Sequence, residues 1–452
     1  MRCDMKLEIL KKAVADEAKK QGISDYELYY MTETDLSVET LKDEISSFSS
    51  GTSGGLSFRC LVGGKMGYAS TELLTEDEVR RLVKVAAENA ANTEKEDVAG
   101  IFAGSEKYLE TTAKKYVPAD AAKLKKVALD IQKANYAASE KVVDGTQSAA
   151  ITHSVTIEIF NSFGLNLTNS VGVNVAMTDA VVRDGDDTES NYEMAFLDDK
   201  FDIEKTVKKA VEGAEERLGA TDDVKSGVYD IILSGKQMKD LLSAFSPAFS
   251  AKNAQLGISL LAGKEGSVVA SDIVTLTDDP MREGVPMQTP FDAEGVATYR
   301  KNVIEKGVLK TLLYNLETAK KAGVASTGNA SRAGYSSPVA TSPYGFCIEA
   351  GEYSDDELLK LCENGIYITE LKGLHAGANP TTGDFSIESA GFIIENGKKT
   401  RAVKSFTIAG NFFELMKSIK ALGNEVKIGV PTGFTYFGAP DTLVGNVNVA
   451  GK

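Results

Sequence analysis

Histidine is almost missing from this chain. Its 452 residues include two, His153 and His375. A catalytic zinc centre usually draws three protein ligands from His, Asp, Glu and Cys. Here it would need both histidines to meet from distant regions, or an unorthodox ligand set. The four cysteines, Cys3, Cys60, Cys347 and Cys362, form no C-x-x-C pair. Without an export signal they read as reduced thiols, mostly small core residues. No apolar run approaches the roughly 18 residues of a membrane-spanning helix. The opening "MRCDMKLEILKKAVADEAKK" is charged throughout and has no apolar signal-peptide core, so the expected compartment is cytoplasmic. Basic charge is also short: Lys plus Arg number 50 against 65 Asp plus Glu, for a net charge of −15. Without a basic stripe, direct binding to nucleic-acid phosphates is disfavoured. The acids are spread and interleaved with Lys, which is the pattern of a soluble surface rather than of a DNA mimic.

What is present is ordinary globular material, 42% hydrophobic and 25% charged. At roughly 150 residues per domain, the length suggests two or three domains. The element order predicts an α+β fold class in three parts. Residues 1–140 read as an N-terminal domain with helices on one face of an antiparallel sheet. Its first helix lines up Leu7, Leu10, Val14 and Ala18. Short β-like runs follow, including "GLSFRCLVGGKMGYAST". A second helix starts at a Thr75–Glu78 capping box, and a third covers 119–139. Residues 141–220 read as a central β-rich part, in which 141–200 alternate in Val, Ile, Thr and Asn as an antiparallel meander with turns at "FNSFG" and "RDGDD". A helix over 203–219, capped by Asp202, closes that part. The composition breaks at "GATDDVKSG". Beyond it, 225–452 read as a C-terminal mixed α+β domain with hairpins, one turned at Asn396-Gly397, and a last helix in "FFELMKSIKALG".

Catalytic motifs are scarce. "GTSGG" (51–55) satisfies G-x-S-x-G, but a nucleophile elbow needs a helix after the serine and a strand-like run follows. It reads as a flexible glycine-rich loop. "LVGGKMG" lacks the leading glycine and the Ser/Thr of a phosphate loop. "DGDDTE" (184–189) lacks the twelve-residue calcium pattern and reads as a solvated hairpin turn. His153 sits in an alternating strand, as a structural residue. His375 opens the polar stretch "HAGANPTTGDFS" with no second histidine or acid at helical spacing, and it is assigned no role.

That stretch carries a resemblance. "NPTTGDFSIESAGFIIENGKKTRAVKSFTIAGNFFELMKSIKALGNE" (379–425) strongly resembles the C-terminal signature of the TldD/PmbA family, and the likeness covers essentially the whole chain. TldD-type members carry H-E-x-x-x-H on a helix and a further cysteine near the C-terminus. The PmbA branch, also called TldE, lacks these. In this chain the corresponding helix reads "LLSAFSPAFSAKNA", placing Ser243 and Ala244 at His-Glu and Ala248 at the second His, and the tail "GVPTGFTYFGAPDTLVG" has no cysteine. The resemblance thus implies a non-catalytic, pseudo-protease subunit of a metallopeptidase assembly for proteolysis or maturation of small peptides. It implies no metal or cofactor in this chain, and zinc only in a TldD-type partner. Either that partner or a second copy in a homodimer would pair through the C-terminal half. Peptide substrates could add to an open sheet edge. Asn379, Thr382, Gly383, Asp384 and Ser386 are expected at a cavity or interface, with Asp384 bonding backbone amides. Two alternatives stand beside this reading. One is an autonomous metallopeptidase with an unorthodox site. The other is an acidic regulator of a DNA enzyme such as gyrase, after the family's older name.

Overall fold

The computed structural model describes residues 2–452 apart from 95 and 98, with side chains from residue 7 onward. Cys3 therefore lies outside the described side chains. The chain opens with α1 (Arg2–Lys20), β1 (Asp25–Leu41), β2 (Glu44–Val62), β3 (Lys65–Thr71), α2 (Glu76–Asn92) and α3 (Ala121–Ala138). Then come β4 (Gln147–Asn161), β5 (Asn166–Asp184), β6 (Asp187–Phe196) and α4 (Ile203–Glu215). The six strands make one antiparallel sheet in the order β3-β2-β1-β4-β5-β6. Because β1 pairs with β4 along most of its length, residues on both sides of position 140 share this sheet.

Period-two alternation separates the two faces. Leu28, Tyr30, Leu56 and Phe58 pack under α1 and α2, and Ala176, Ala180 and Val182 pack under α4. Tyr29, Met31, Val155 and Ile157 point the other way, onto Phe291, Ala293 and Ala330 of the C-terminal half. Helices on one face of an antiparallel sheet are what the sequence predicts. The strands are not the short runs expected, however. β1 and β2 are 17 and 19 residues long. "GTSGG" is no loop but the middle of β2, where Gly54 and Gly55 pair with Thr32 and Met31. A Cβ at Gly54 would stand 2.4 Å from the Met31 carbonyl oxygen, so glycine answers a close backbone approach here. Only half of the Thr75 box forms. Its hydroxyl accepts from the Glu78 amide, while the Glu78 carboxylate bonds Thr71 and Arg81 instead.

The C-terminal half continues with β7 (Gly227–Leu233), α5 (Gly235–Phe245), a 3-10 turn (Ser246–Phe249), α6 (Ala251–Gln255), β8 (Leu276–Asp278), β9 (Lys301–Glu305), β10 (Val308–Leu309) and α7 (Leu316–Ala322). Next are β11 (Ala330–Ser331), β12 (Ala340–Thr341), β13 (Gly345–Ile348), α8 (Asp355–Cys362), β14 (Gly365–Lys372), α9 (Leu374–Gly377), β15 (Asp384–Glu395) and β16 (Lys398–Asn411). The chain finishes with α10 (Phe412–Lys417), β17 (Ile419–Leu422), β18 (Lys427–Ile428), β19 (Tyr436–Ala439) and β20 (Thr442–Ala450). One sheet runs β10-β9-β8-β13-β19-β18. Another runs β16-β15-β14-β7-β20-β17, and β16 also pairs with β20, so it curls into a barrel-like ring. The fold is α+β as expected. The Asn396-Gly397 turn has both residues at positive φ, as a two-residue hairpin needs. "FFELMKSIKALG" is a helix only as far as Lys417. Ile419, Ala421 and Leu422 leave it to pair with β20 and bury their side chains, which a continued helix would forgo. Cys60, Cys347 and Cys362 are buried free thiols, and burial pushes each of them up.

Candidate functional site

α5 is built by its apolar stripe. Met238, Leu241, Leu242 and Phe245 are buried at i, i+3, i+4 and i+7. Gly235 opens it because a Cβ there would stand 2.5 Å from the Ala439 carbonyl oxygen, and its amide donates to Asp441 Oδ1 at 2.7 Å. Pro247 follows the last turn, and the chain tightens into the Ser246–Phe249 3-10 turn. Phe245 stacks on Phe412 with ring centroids 4.6 Å apart and meets Phe385 edge-on at 6.5 Å.

Ser243 and Ala244 are thus half-buried in the last turn of α5, while the buried Ala248 belongs to the separate 3-10 turn. The Ser243 carbonyl accepts from Ser246 Oγ at 2.8 Å, and the Ala248 carbonyl accepts from Ser259 Oγ at 2.5 Å. One hydroxyl and two methyl groups do not fit a zinc ion, which takes imidazole, thiolate or carboxylate ligands. No carboxylate stands among the three as a base. Among the described residues, no three of His, Cys, Asp and Glu come together as a metal-holding group.

His153 lies on β4 of the first sheet, where its Nδ1 is 2.6 Å from Oδ1 of its cross-strand neighbour Asp35. His375 is exposed on α9. After it, Asn379 builds a turn. Its side-chain oxygen accepts from the amides of Thr381 and Thr382, and its carbonyl accepts from Gly383 at 2.8 Å. Gly383 has φ 78°, and a Cβ there would meet Asn411 Nδ2 at 2.7 Å. The sequence suggested that Asp384 bonds backbone amides; among the described residues it bonds none. Its Oδ1 accepts from Asn411 Nδ2 at 3.0 Å, and the Asn411 amide and then Thr382 hold its carboxyl below the usual range. The reason is local: the short Asp384 side chain faces its β16 partner Asn411, so the nearest donor is a side-chain amide. Asn379, Thr382, Asp384 and Ser386 are all solvent-exposed.

The structure also gathers a buried charged cluster that sequence spacing does not disclose. Glu27 and Arg59 are cross-strand partners on the sheet face that meets the C-terminal half. Glu27 accepts from Arg59 at 2.8 Å and from Arg332 at 2.6 Å. Arg59 also reaches Glu294 at 3.2 Å. The Arg332 guanidinium lies 4.1 Å from the centroid of Tyr29 and donates to Ser57 Oγ. Burial pushes the Glu27 carboxyl up, but the two guanidinium groups outweigh it and hold it below its ordinary value. Only the alternation of Glu27 with apolar neighbours in β1 could have hinted at a buried acid.

Asp292, beside this cluster, behaves oppositely. Burial and then the Glu294 charge raise its carboxyl to about 7, against three backbone amides that favour the anion. An acid raised in the folded state binds its proton more tightly there than when unfolded. Its contribution therefore favours the fold most below an unfolded value of about 3.9, and is lost as pH rises toward the folded one. Carboxyl-labelled NMR should show one Asp still largely protonated near pH ~6, where exposed Asp is ionised. Complete ionisation of every Asp well below that pH would refute the assignment.

Comparison with known proteins places these features. The description "PmbA/TldA metallopeptidase C-terminal domain" matches residues 226–451, and "PmbA/TldA metallopeptidase domain 1" matches 26–90. The chain belongs to the PmbA/TldD metallopeptidase family. An uncharacterised protein of Methanocaldococcus jannaschii is 30% identical over 90% of this chain and 93% of its own length. The metalloprotease PmbA of Escherichia coli O157:H7 is 25% identical over 87% and 86%. A Thermotoga maritima structure, described as a candidate modulator of a DNA gyrase, superimposes with TM-score 0.88 at 30% identity, covering 98% of this chain and all of that one. The TldE structure from Thermococcus kodakarensis shares the fold, with TM-score 0.86 at 23% identity over 98% and 99%. Among the described residues of this PmbA/TldD member, no helix is long and apolar enough to cross a membrane.

Proposed function

We propose that this chain is the non-catalytic, TldE-type subunit of a cytoplasmic metallopeptidase assembly that cuts or matures small peptides, with zinc held by a TldD-type partner. The observation that carries this is the chemistry of α5 and its 3-10 turn. Ser243, Ala244 and Ala248 offer neither ligands nor a general base where zinc hydrolysis needs both. A docking surface lies next to them. Leu256, Ile258 and Leu260, just beyond α6, are 64%, 44% and 46% exposed. A Cβ on Gly383 would stand 3.1 Å from Leu260, so this patch adjoins the Asn379–Ser386 turn. Exposed apolar clusters of this kind mark protein contacts. The occupant is a related subunit, or a second copy of this chain related by a two-fold axis.

The purified chain, dialysed and measured by elemental analysis beside a fluorogenic peptide assay, should hold no stoichiometric zinc and cut nothing. One tightly held equivalent of zinc with chelator-sensitive cleavage would instead establish the autonomous metallopeptidase, the reading favoured by relatives named metalloprotease. Ile258→Asp should shift the protein toward monomer in light scattering, or release the TldD-type chain in co-purification from the native host. Unchanged assembly would remove this patch from the interface.

A further inference from the structure

The first sheet ends at β6, which has no strand on its outer side among the described residues. The Leu197 amide donates to the Asn174 carbonyl at 2.8 Å. Alternation then points the backbone groups of 195, 193 and 191 toward β5, and those of Tyr192, Met194 and Phe196 outward. The outward carbonyl of Tyr192 accepts from Lys236 Nζ at 2.8 Å. These groups border a cleft of about 750 Å³ between β6 and α4 on one side and the C-terminal half on the other.

Basic side chains outnumber acidic ones in the lining of this cleft, in a chain of net charge −15. Lys209, Arg217, Lys236, Lys239, Lys399 and Lys427 line it, against the carboxylates Glu193, Glu212 and Glu216. Asp441 holds Lys427, Asp240 holds Lys239, and Glu370 lies 3.7 Å from Arg217. Lys236 and Lys399 have no ion pair among the described residues. The Lys399 ammonium stands 3.5 Å from the centroid of the Tyr367 ring. Both lysines are solvent-exposed as residues; burial against the cleft walls pushes both below the ordinary lysine range, opposed by Glu193 and Asp240 near Lys236 and by Asp441, Glu216 and Asp355 near Lys399. The hydroxyl of Thr369, in the same wall, is buried and makes no hydrogen bond.

We propose that this cleft receives the C-terminal carboxylate of an extended peptide, which pairs along the outer edge of β6 and closes on Lys236 and Lys399. A strand edge with no neighbouring strand offers main-chain hydrogen bonds to an extended chain; on β6 the Ser190 and Tyr192 carbonyls already accept from Arg217 and Lys236, and a peptide would take over the Lys236 bond. Two ammonium groups at its side, neither held in an ion pair among the described residues, supply charge-assisted bonds to a carboxylate. That the ligand is a peptide rests on the proposed function; that it carries an anion rests on Lys236 and Lys399 alone.

The test uses the full chain and no partner subunit, so its outcome is independent of whether the chain holds zinc. Short fluorescein-labelled peptides, with either a free or an amidated C-terminus, are titrated by anisotropy, and inorganic phosphate is added as competitor. The free acid should bind at least about tenfold more tightly than the amide, since charged hydrogen bonds are lost in the latter. Lys236→Met and Lys399→Met should each weaken it severalfold, and phosphate should compete. Met194→Pro removes one outward N–H without touching the ladder to β5. It should weaken the peptide while leaving phosphate binding in place, with thermal unfolding reporting that the variant is folded. Equal binding of acid and amide, phosphate binding without peptide binding, or no binding of either peptide to folded wild type would each overturn the assignment.

Discussion

Arg332→Ala should destabilise the protein by about 3–5 kcal/mol, the usual cost of removing one partner from a buried ion pair. Glu27 and Arg332 are both fully buried at their side chains and 2.6 Å apart. Without the guanidinium, Glu27 keeps only Arg59, which it shares with Glu294. The stacked contact with Tyr29 goes as well. Because Arg332 comes from the C-terminal half and Glu27 from β1, the loss falls on the contact between the two. Urea unfolding followed by fluorescence and by circular dichroism should show a lower midpoint, and limited proteolysis should reach the junction sooner. Arg332→Lys should recover only part of the effect, since an ammonium cannot reproduce a fork that meets Glu27 and Ser57 together. A loss under about 1 kcal/mol for the alanine variant would mean the cluster is not a clamp.

Phe245→Ala should cost a comparable amount, about 3–5 kcal/mol, for a different reason. Its fully buried ring fills the space between Phe412 and Phe385. Truncation opens a cavity that a helix end, the start of β15 and α10 all border, and these elements are too tightly paired to collapse into it. The effect should appear as a lower urea midpoint with unchanged exposure of the N-terminal half to protease. Phe245→Leu should recover most of it. Retention of wild-type stability by the alanine variant would show that the region repacks freely.

The hydrophobic alternation of β4 to β6 and the Asn396-Gly397 turn were legible because each is a local preference that the tertiary environment does not oppose. The same holds for the cap at Asp202, whose side chain accepts from the amide three residues on. The errors arose where a distant partner decides. "GTSGG" has the composition of a loop, yet β1 supplies a cross-strand partner for each of its residues. "SIKALG" has a helical pattern, yet β20 takes Ile419–Leu422 as a strand. At the α5 position the sequence reads Ser243, Ala244 and Ala248, residue types that bring no imidazole, thiolate or carboxylate wherever they fall.

By itself, then, the sequence determined the α+β class and the family signature over 379–425, since composition and local periodicity do not depend on what packs against them. Only the tertiary structure decided that both sides of residue 140 share one sheet, that the barrel-like ring closes between β16 and β20, and that Glu27, Arg59, Glu294 and Arg332 meet. It alone also brought Lys236 and Lys399 to one cleft. These groups are separated by tens to hundreds of residues, and a side chain's hydration and charge environment are set by neighbours in space, which spacing along the chain does not encode.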